Sequence, residues 1–251
     1  MRIKSNNRVF VAGASGAIGR RLCRLLIEDG WNVIGTTRST ERAAALRAIG
    51  VTPVIVDVFD QDRLLNVVAE ARPAVVVHQL TDLPPALDPS RMAEARARNA
   101  RIREVGTRHL VAAAVAGGVG RMVAQSIAFA YAPGPTPYRE NWPLNVDDPD
   151  EGARLSARAV ASLERQVLEA PFPGIVLRYG RFYGPGTGFD APRSGGPVHV
   201  DAAADAARRA ITRGGAGVYN IAEHDGTVSS LKATTELGWN PDFRIDQGRI
   251  D

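Results

Sequence analysis

Apolar and polar positions follow two different periods along this chain, and each change of period marks a new element. Arg8–Ala12 (RVFVA) is a short, nearly unbroken apolar run closed by Gly13, as expected of a strand buried on both faces. Ile18, Leu22, Leu25 and Leu26 then recur at helical spacing until Gly30 stops them. The exchange repeats. Extended runs fall at 31–36, 53–57, 74–78, 121–125 and Gly174–Tyr179. Helical runs fall at 42–49, after an Asp60 N-cap (Leu64, Val67, Val68), at 92–116 before Gly117-Gly118, and at 153–169. Beyond Tyr179 the pattern predicts an extended segment at 198–200, a helix over 202–213, a strand at 218–221 and a short helix near 230–237.

Strands alternating with helices imply parallel pairing, because each crossover returns the chain to the same end of the sheet. The predicted class is α/β, a doubly wound parallel sheet with a small C-terminal substrate-binding part. The 251 residues show no repeat and no convincing linker, so 1–251 reads as one domain, with substrate-side insertions near 132–152, 181–200 and 222–251. In such a sheet, ligands bind at the carboxyl ends of the strands. Those ends carry Gly13, Thr37-Arg38, Asp57, His78-Gln79, Ser126 and Tyr179.

Composition narrows the class. A hydrophobic share of 45% suffices for a full core, and no apolar run is long enough to span a membrane. The short polar start lacks a signal peptide's apolar stretch, and the lone Cys23 fits a reducing, cytoplasmic setting. The net charge of +4 is scattered and mostly arginine, without a basic stripe, which argues against nucleic acid as a partner. No metal site is expected. A small-molecule substrate is.

The loop Gly13-Ala14-Ser15-Gly16-Ala17-Ile18-Gly19 lies between a strand and a helix, the context in which spaced glycines cradle a pyrophosphate. Gly13 permits the turn, Gly16 lets the phosphate approach, and Gly19 lets helix and strand pack closely. A NAD-binding fold usually places Asp or Glu after the second strand, to hold the ribose hydroxyls. Here that place reads Thr36-Thr37-Arg38-Ser39, so NADPH is the expected cofactor and NAD the less favoured one. Arg38, helped by Arg42, would neutralise a 2′-phosphate; the competing reading is a solvated surface arginine. Asp57, with Val58 beside it, would meet the adenine, or else caps a turn. Gln79 and Thr81 follow the fourth strand, on the ribose side.

Several stretches resemble the extended and atypical short-chain dehydrogenase/reductase superfamily, whose members include the epimerase/dehydratase group. They are the GxxGxxG loop, Val75-Val76-Val77-His78, Leu177-Arg178-Tyr179-Gly180-Arg181-Phe182-Tyr183-Gly184-Pro185-Gly186, Val198-His199-Val200-Asp201 and Leu237-Gly238-Trp239-Asn240-Pro241. The resemblance implies a Rossmann fold, NAD(P) chemistry and a homodimer formed through the helices near 92–116 and 153–169. It also exposes a departure. The family's acid/base pair, Tyr-x-x-x-Lys on the long helix, maps to Ser156 and Val160, and no lysine stands between Lys4 and Lys232. The candidate proton donors left are Ser126, Tyr131 and Tyr179, with His78 close by. Each has a structural alternative: turn cap, core aromatic, pocket lining, satisfied strand-end histidine. Arg181, Phe189 and Arg193, on and after the sixth strand's motif, are the candidate substrate contacts. The expected activity is an NADPH-dependent oxidoreductase of ketoreductase type, acting on a small or aromatic carbonyl with a non-standard proton source. A catalytically silent NADP-binding sensor and a nucleotide-sugar epimerase-like enzyme are the alternatives.

Overall fold

In the computed structural model, which describes residues 6–84 and 87–246, seven strands form one parallel sheet in the order β3-β2-β1-β4-β5-β6-β9. These are β1 (Arg8–Ala12), β2 (Asn32–Thr37), β3 (Thr52–Ile55), β4 (Val75–His78), β5 (Arg121–Ile127), β6 (Gly174–Tyr179) and β9 (Gly217–Ile221). The crossovers carry α1 (Ala17–Glu28), α2 (Thr40–Ala48), α3 (Gln61–Ala71), α4 (Met92–Arg101), α5 (Thr107–Ala116), α6 (Glu151–Leu168) and α7 (Val200–Ala210). A two-stranded parallel sheet, β7 (Arg181–Tyr183) with β8 (Pro197–His199), stands outside the main one. Among the described residues no helix is long and apolar enough to cross a membrane.

Alternate residues of each strand feed opposite layers, as the two-residue period of a strand requires. Val9, Val11, Val75, Val77, Ile175 and Leu177 pack with α1 and α7, while Phe10, Val76, Met122, Ala124 and Val176 pack with α3, α5 and α6. Leu22 and Leu26 of α1 are fully buried, and each contributes about 1.5–3 kcal/mol by leaving water. Nine of the eleven residues of α7 are buried, mostly alanines, so α7 packs close against α1 and the sheet. Asp201 and Asp205 of α7 are buried with arginine partners, Arg21 at 2.6 Å and Arg209 at 2.5 Å.

Several boundaries differ from the sequence reading. The predicted helix over 92–116 is broken by a π turn at Ile102–Gly106, with helix on both sides. β3 ends at Ile55, so Asp57 lies in the following turn and its carboxylate accepts the Phe59 N–H at 2.9 Å. β5 runs on to Ile127, which places Ser126 inside the strand rather than at its end. α7 begins at Val200, so the predicted extended segment 198–200 is strand only through His199.

A candidate dinucleotide crevice

The main cleft opens where β1, β2 and β4 end. Gly13, Ser15, Gly16, Arg38, Arg42, Asp57, Val58, Gln79 and Thr81 line it, floored by Ile102 and Leu110. Gly13 turns the chain at φ 87°, and a Cβ there would come within 2.7 Å of the Gln79 carbonyl. A Cβ on Gly19 would collide with the Gly13 carbonyl, which is why helix and strand pack so closely here. Gly16 differs: its Cβ would meet only that carbonyl, at 3.4 Å, and would otherwise project into open space. Thr36 accepts the Gly13 N–H at 3.2 Å, and Ser15 donates to Thr37 at 3.4 Å, so β2 braces the loop.

The N-terminus of α1 has no side-chain cap and no acid in its first turn. Its N–H groups at 17–19, with the positive end of the helix dipole, remain available to an anion. Across the cleft, the Gln79 carboxamide oxygen is buried without a hydrogen-bond partner, while its nitrogen donates to the Tyr179 hydroxyl at 3.4 Å. A buried polar atom left unpaired is costly, so this oxygen marks a place where a ligand donor belongs. An anion cradle and an acceptor without a partner among the described residues, both lining one cleft, are what a dinucleotide would complete.

Arg38 reaches Asp82 at 3.5 Å and is more than half exposed. Asp82 is shared with Arg98 at 3.3 Å, so the Arg38 contact is loose and separable.

The candidate proton donors are placed differently. Ser126 is buried and donates to Glu164 at 2.7 Å. Glu164 is clamped by Arg178 from two nitrogens, at 2.8 and 2.6 Å. Arg178 also donates to the Tyr131 hydroxyl at 2.9 Å, and Tyr131 donates to Asn220 at 2.6 Å. Burial would lower the Arg178 guanidinium, but its bonds to Glu164 outweigh that and hold it above its ordinary range. Burial pushes the Tyr131 hydroxyl up despite Arg178 beside it, and raises the enclosed Tyr179 further. His78, wholly buried, is lowered to about 4 by burial and by Arg103, so it is neutral. Its Nδ1 accepts the Leu80 N–H, which leaves Nε2 to donate to Thr107 at 3.1 Å. On α6, Ser156 bonds back to the Gly152 carbonyl at 2.9 Å and Val160 is fully buried; the helix has neither tyrosine nor lysine.

The substrate candidates gather past the end of β6. Arg181 lies over the Phe129 ring at 4.8 Å, and Arg193 over Phe189 at 3.6 Å. The loop 184–196, which carries Phe189 and Arg193, is tied down at both ends. Gly184 donates to the Phe189 carbonyl at 2.8 Å, and Gly195 and Gly196 donate to Asp225 at 3.0 and 2.8 Å. Sequence reasoning missed Phe129, Asp82 and Asp225, which carry no motif.

The family model described as NAD dependent epimerase/dehydratase matches residues 9–197. A Streptomyces protein named 3-diazoavenalumate denitrifying reductase is 45% identical over 91% of this chain and 72% of its own length. Among solved structures, the Thermus thermophilus UDP-glucose 4-epimerase in complex with NAD aligns with a TM-score of 0.74 at 20% identity, over 95% of each chain. A dTDP-glucose 4,6-dehydratase from Streptomyces venezuelae aligns with a TM-score of 0.74 at 19% identity, over 96% of this chain and 93% of its own. At these identities the structures share the fold.

Proposed function

The chain belongs to the NAD-dependent epimerase/dehydratase family and is an oxidoreductase with a nicotinamide cofactor; on that premise we propose that it is an NADPH-dependent reductase that replaces the diazo group of a small aryl acid by hydrogen, with release of dinitrogen. The relative's name describes a diazo-bearing acid anion reduced with loss of nitrogen. The observation that carries the reading is internal to this chain: among the described residues, none of the candidate hydroxyls is tuned to give up a proton near neutral pH. Neither tyrosine nor lysine is present on α6, Ser126 is engaged by Glu164, and the Tyr131 and Tyr179 hydroxyls are raised away from neutrality.

When bound, the reduced nicotinamide supplies a hydride. Turning a ketone into an alcohol takes a hydride and a proton, so a protein doing it gains from a positioned acid. Turning an aryl diazonium into an arene takes a hydride alone: the C–N bond breaks, a C–H bond forms, N2 leaves, and the positive charge is cancelled; where a phenol beside the diazo group is ionised, the phenolate product takes its proton from water afterwards, with no positioned acid needed. The aryl group is reduced by two electrons and the nicotinamide is oxidised by two. A reductase lacking the acid/base pair suits the second conversion.

The chain's part is binding and orientation. N–H groups of 17–19, with Ser15 and Gly16, would take the pyrophosphate; Asp57 and Val58 would flank adenine. Arg38 and Arg42 would hold the 2′-phosphate, and Gln79, Thr81 and Tyr179 the nicotinamide riboside end. Buried Tyr179 and half-buried Phe182, with ring centroids 5.4 Å apart, would keep water from the reacting end.

The test is anaerobic turnover of 3-diazo-4-hydroxycinnamate with NADPH. Expected is 4-hydroxycinnamate and N2, one of each per NADPH consumed. Reduction of quinones or aryl ketones with the diazo compound left intact would restore the ketoreductase reading.

A further inference from the structure

Several arginines are matched by an acid: Arg21 by Asp201, Arg178 by Glu164, Arg208 by Asp29 and Asp205. Arg181 and Arg193 are not. Among the described residues neither forms a salt bridge or a side-chain hydrogen bond, and each lies against a phenylalanine face instead. Asp225, the acid at this loop's base, is turned to the backbone N–H groups of Gly195, Gly196 and Thr227. Nor are the two cations apart. Arg181 donates its backbone N–H to the Gly196 carbonyl at 2.8 Å, and its Nε lies 3.1 Å from where a Gly195 Cβ would stand, two residues after Arg193. Phe129, beneath Arg181, is 45% exposed, an unusual amount for a large ring packed at a strand end.

The place is also fixed. Phe129 follows the carboxyl end of β5 and Arg181 that of β6, next along the sheet edge from the Gln79–Tyr179 contact that bounds the crevice. A flat group extending from the crevice along this edge would approach two aromatic rings, each with a guanidinium over it.

We propose that Arg181 and Arg193 form a carboxylate clamp, with Phe129 and Phe189 stacking on the conjugated body, so that this enzyme selects aryl acids over their neutral counterparts. The inference rests on the proposed aryl substrate and names its far end. Guanidiniums match carboxylates in pairs of parallel bonds, and their hold on the ring faces keeps both forks oriented before the ligand arrives. Burial, and then repulsion from Arg193, depress the Arg181 guanidinium, and the attraction of an anion bound beside the two would offset both.

The test is calorimetry on the NADPH-saturated protein with 4-hydroxycinnamate and its methyl ester. The acid should bind roughly tenfold or more tightly than the ester. Arg181→Gln and Arg193→Gln should each erase most of that difference without changing NADPH affinity; Arg193→Lys should restore part of it. Equal affinity for acid and ester in the unmutated protein overturns the clamp, and that comparison needs no variant. So does an acid preference that survives both glutamine substitutions. The two readings fail separately: an arginine-dependent acid preference without diazo turnover leaves the clamp and removes the proposed reaction. Equal turnover of diazo acid and diazo ester, with no acid preference in binding, does the reverse.

Discussion

At the scale of single residues, the proposed preference for NADPH rests on Arg38. Its contact with Asp82, at 3.5 Å and exposed, is worth at most about 1 kcal/mol, less than a charge-assisted bond to a phosphate. Arg38→Ala is expected to cut the preference for NADPH over NADH by about 1.5–3 kcal/mol. Asp82→Asn, which frees the guanidinium, should tighten NADPH a few-fold and leave NADH unchanged. Titration of both cofactors measures this; equal affinities in the unmutated protein would assign the ribose to another group. His78 gives a pH prediction. Its folded value, about 4, lies below the ordinary 6.5. The unfolded chain therefore binds the proton first as pH falls, and stability is full above pH ~6.5 and declines toward pH 4, by up to about 3 kcal/mol. Denaturant melts at pH 7.5 and 5.0 should show the decline, and His78→Gln should flatten it. An unchanged slope in that variant would place the titrating group elsewhere, His199 being the first alternative.

At the scale of elements, the C-terminal end of loop 184–196 is held by one acid. Asp225 accepts N–H groups from two consecutive glycines at positive φ, 93° and 74°. Burial alone would raise its carboxyl, but the N–H donors of Gly196 and Thr227 outweigh that and hold it below 3.8. The anchoring is thus present at neutral pH and lost only in strong acid, as pH falls through the lowered value. Asp225→Ala should loosen the loop and raise KM for an aryl acid about tenfold, in line with a lost charge-assisted anchor, while NADPH affinity stays put. Steady-state kinetics with both substrates varied separates the two; a fall in NADPH affinity of equal size would make Asp225 a brace of the whole site. The π turn at Ile102–Gly106 belongs to this scale too. Apolar residues keep helical spacing on both sides of it, so the sequence pattern of 92–116 reads as one helix.

At the scale of the whole molecule, the sheet was legible because its strands are short, largely apolar runs separated by stretches of helical period. The glycine loop was legible because its neighbours are a strand and a helix. What stayed hidden was contact between residues far apart in sequence. Ser126, Tyr131 and Tyr179 are polar residues on or near strand ends, and sequence reasoning treats such residues as candidates for chemistry. Whether a hydroxyl faces a crevice or an internal carboxylate depends on partners such as Glu164, 38 residues from Ser126, and Asn220, 89 from Tyr131. The missing Tyr-x-x-x-Lys pair, by contrast, is a matter of residue identity and was readable at once.

The network of Ser126, Glu164, Arg178, Tyr131 and Asn220 has a consequence for how this protein can change over generations. Removing one partner of a buried ion pair costs about 3–5 kcal/mol, a large part of the 5–15 kcal/mol by which a domain of ordinary stability is folded. Glu164 and Arg178 are therefore tied to one another: neither drifts alone, and a lineage crosses from this arrangement to another only by paired replacement. Arg193 and Phe189 sit on a loop whose side chains the sheet does not need. Heredity can rewrite what the crevice mouth accepts while the interior beneath it stands still, and new substrates can be tried here at little risk to the fold.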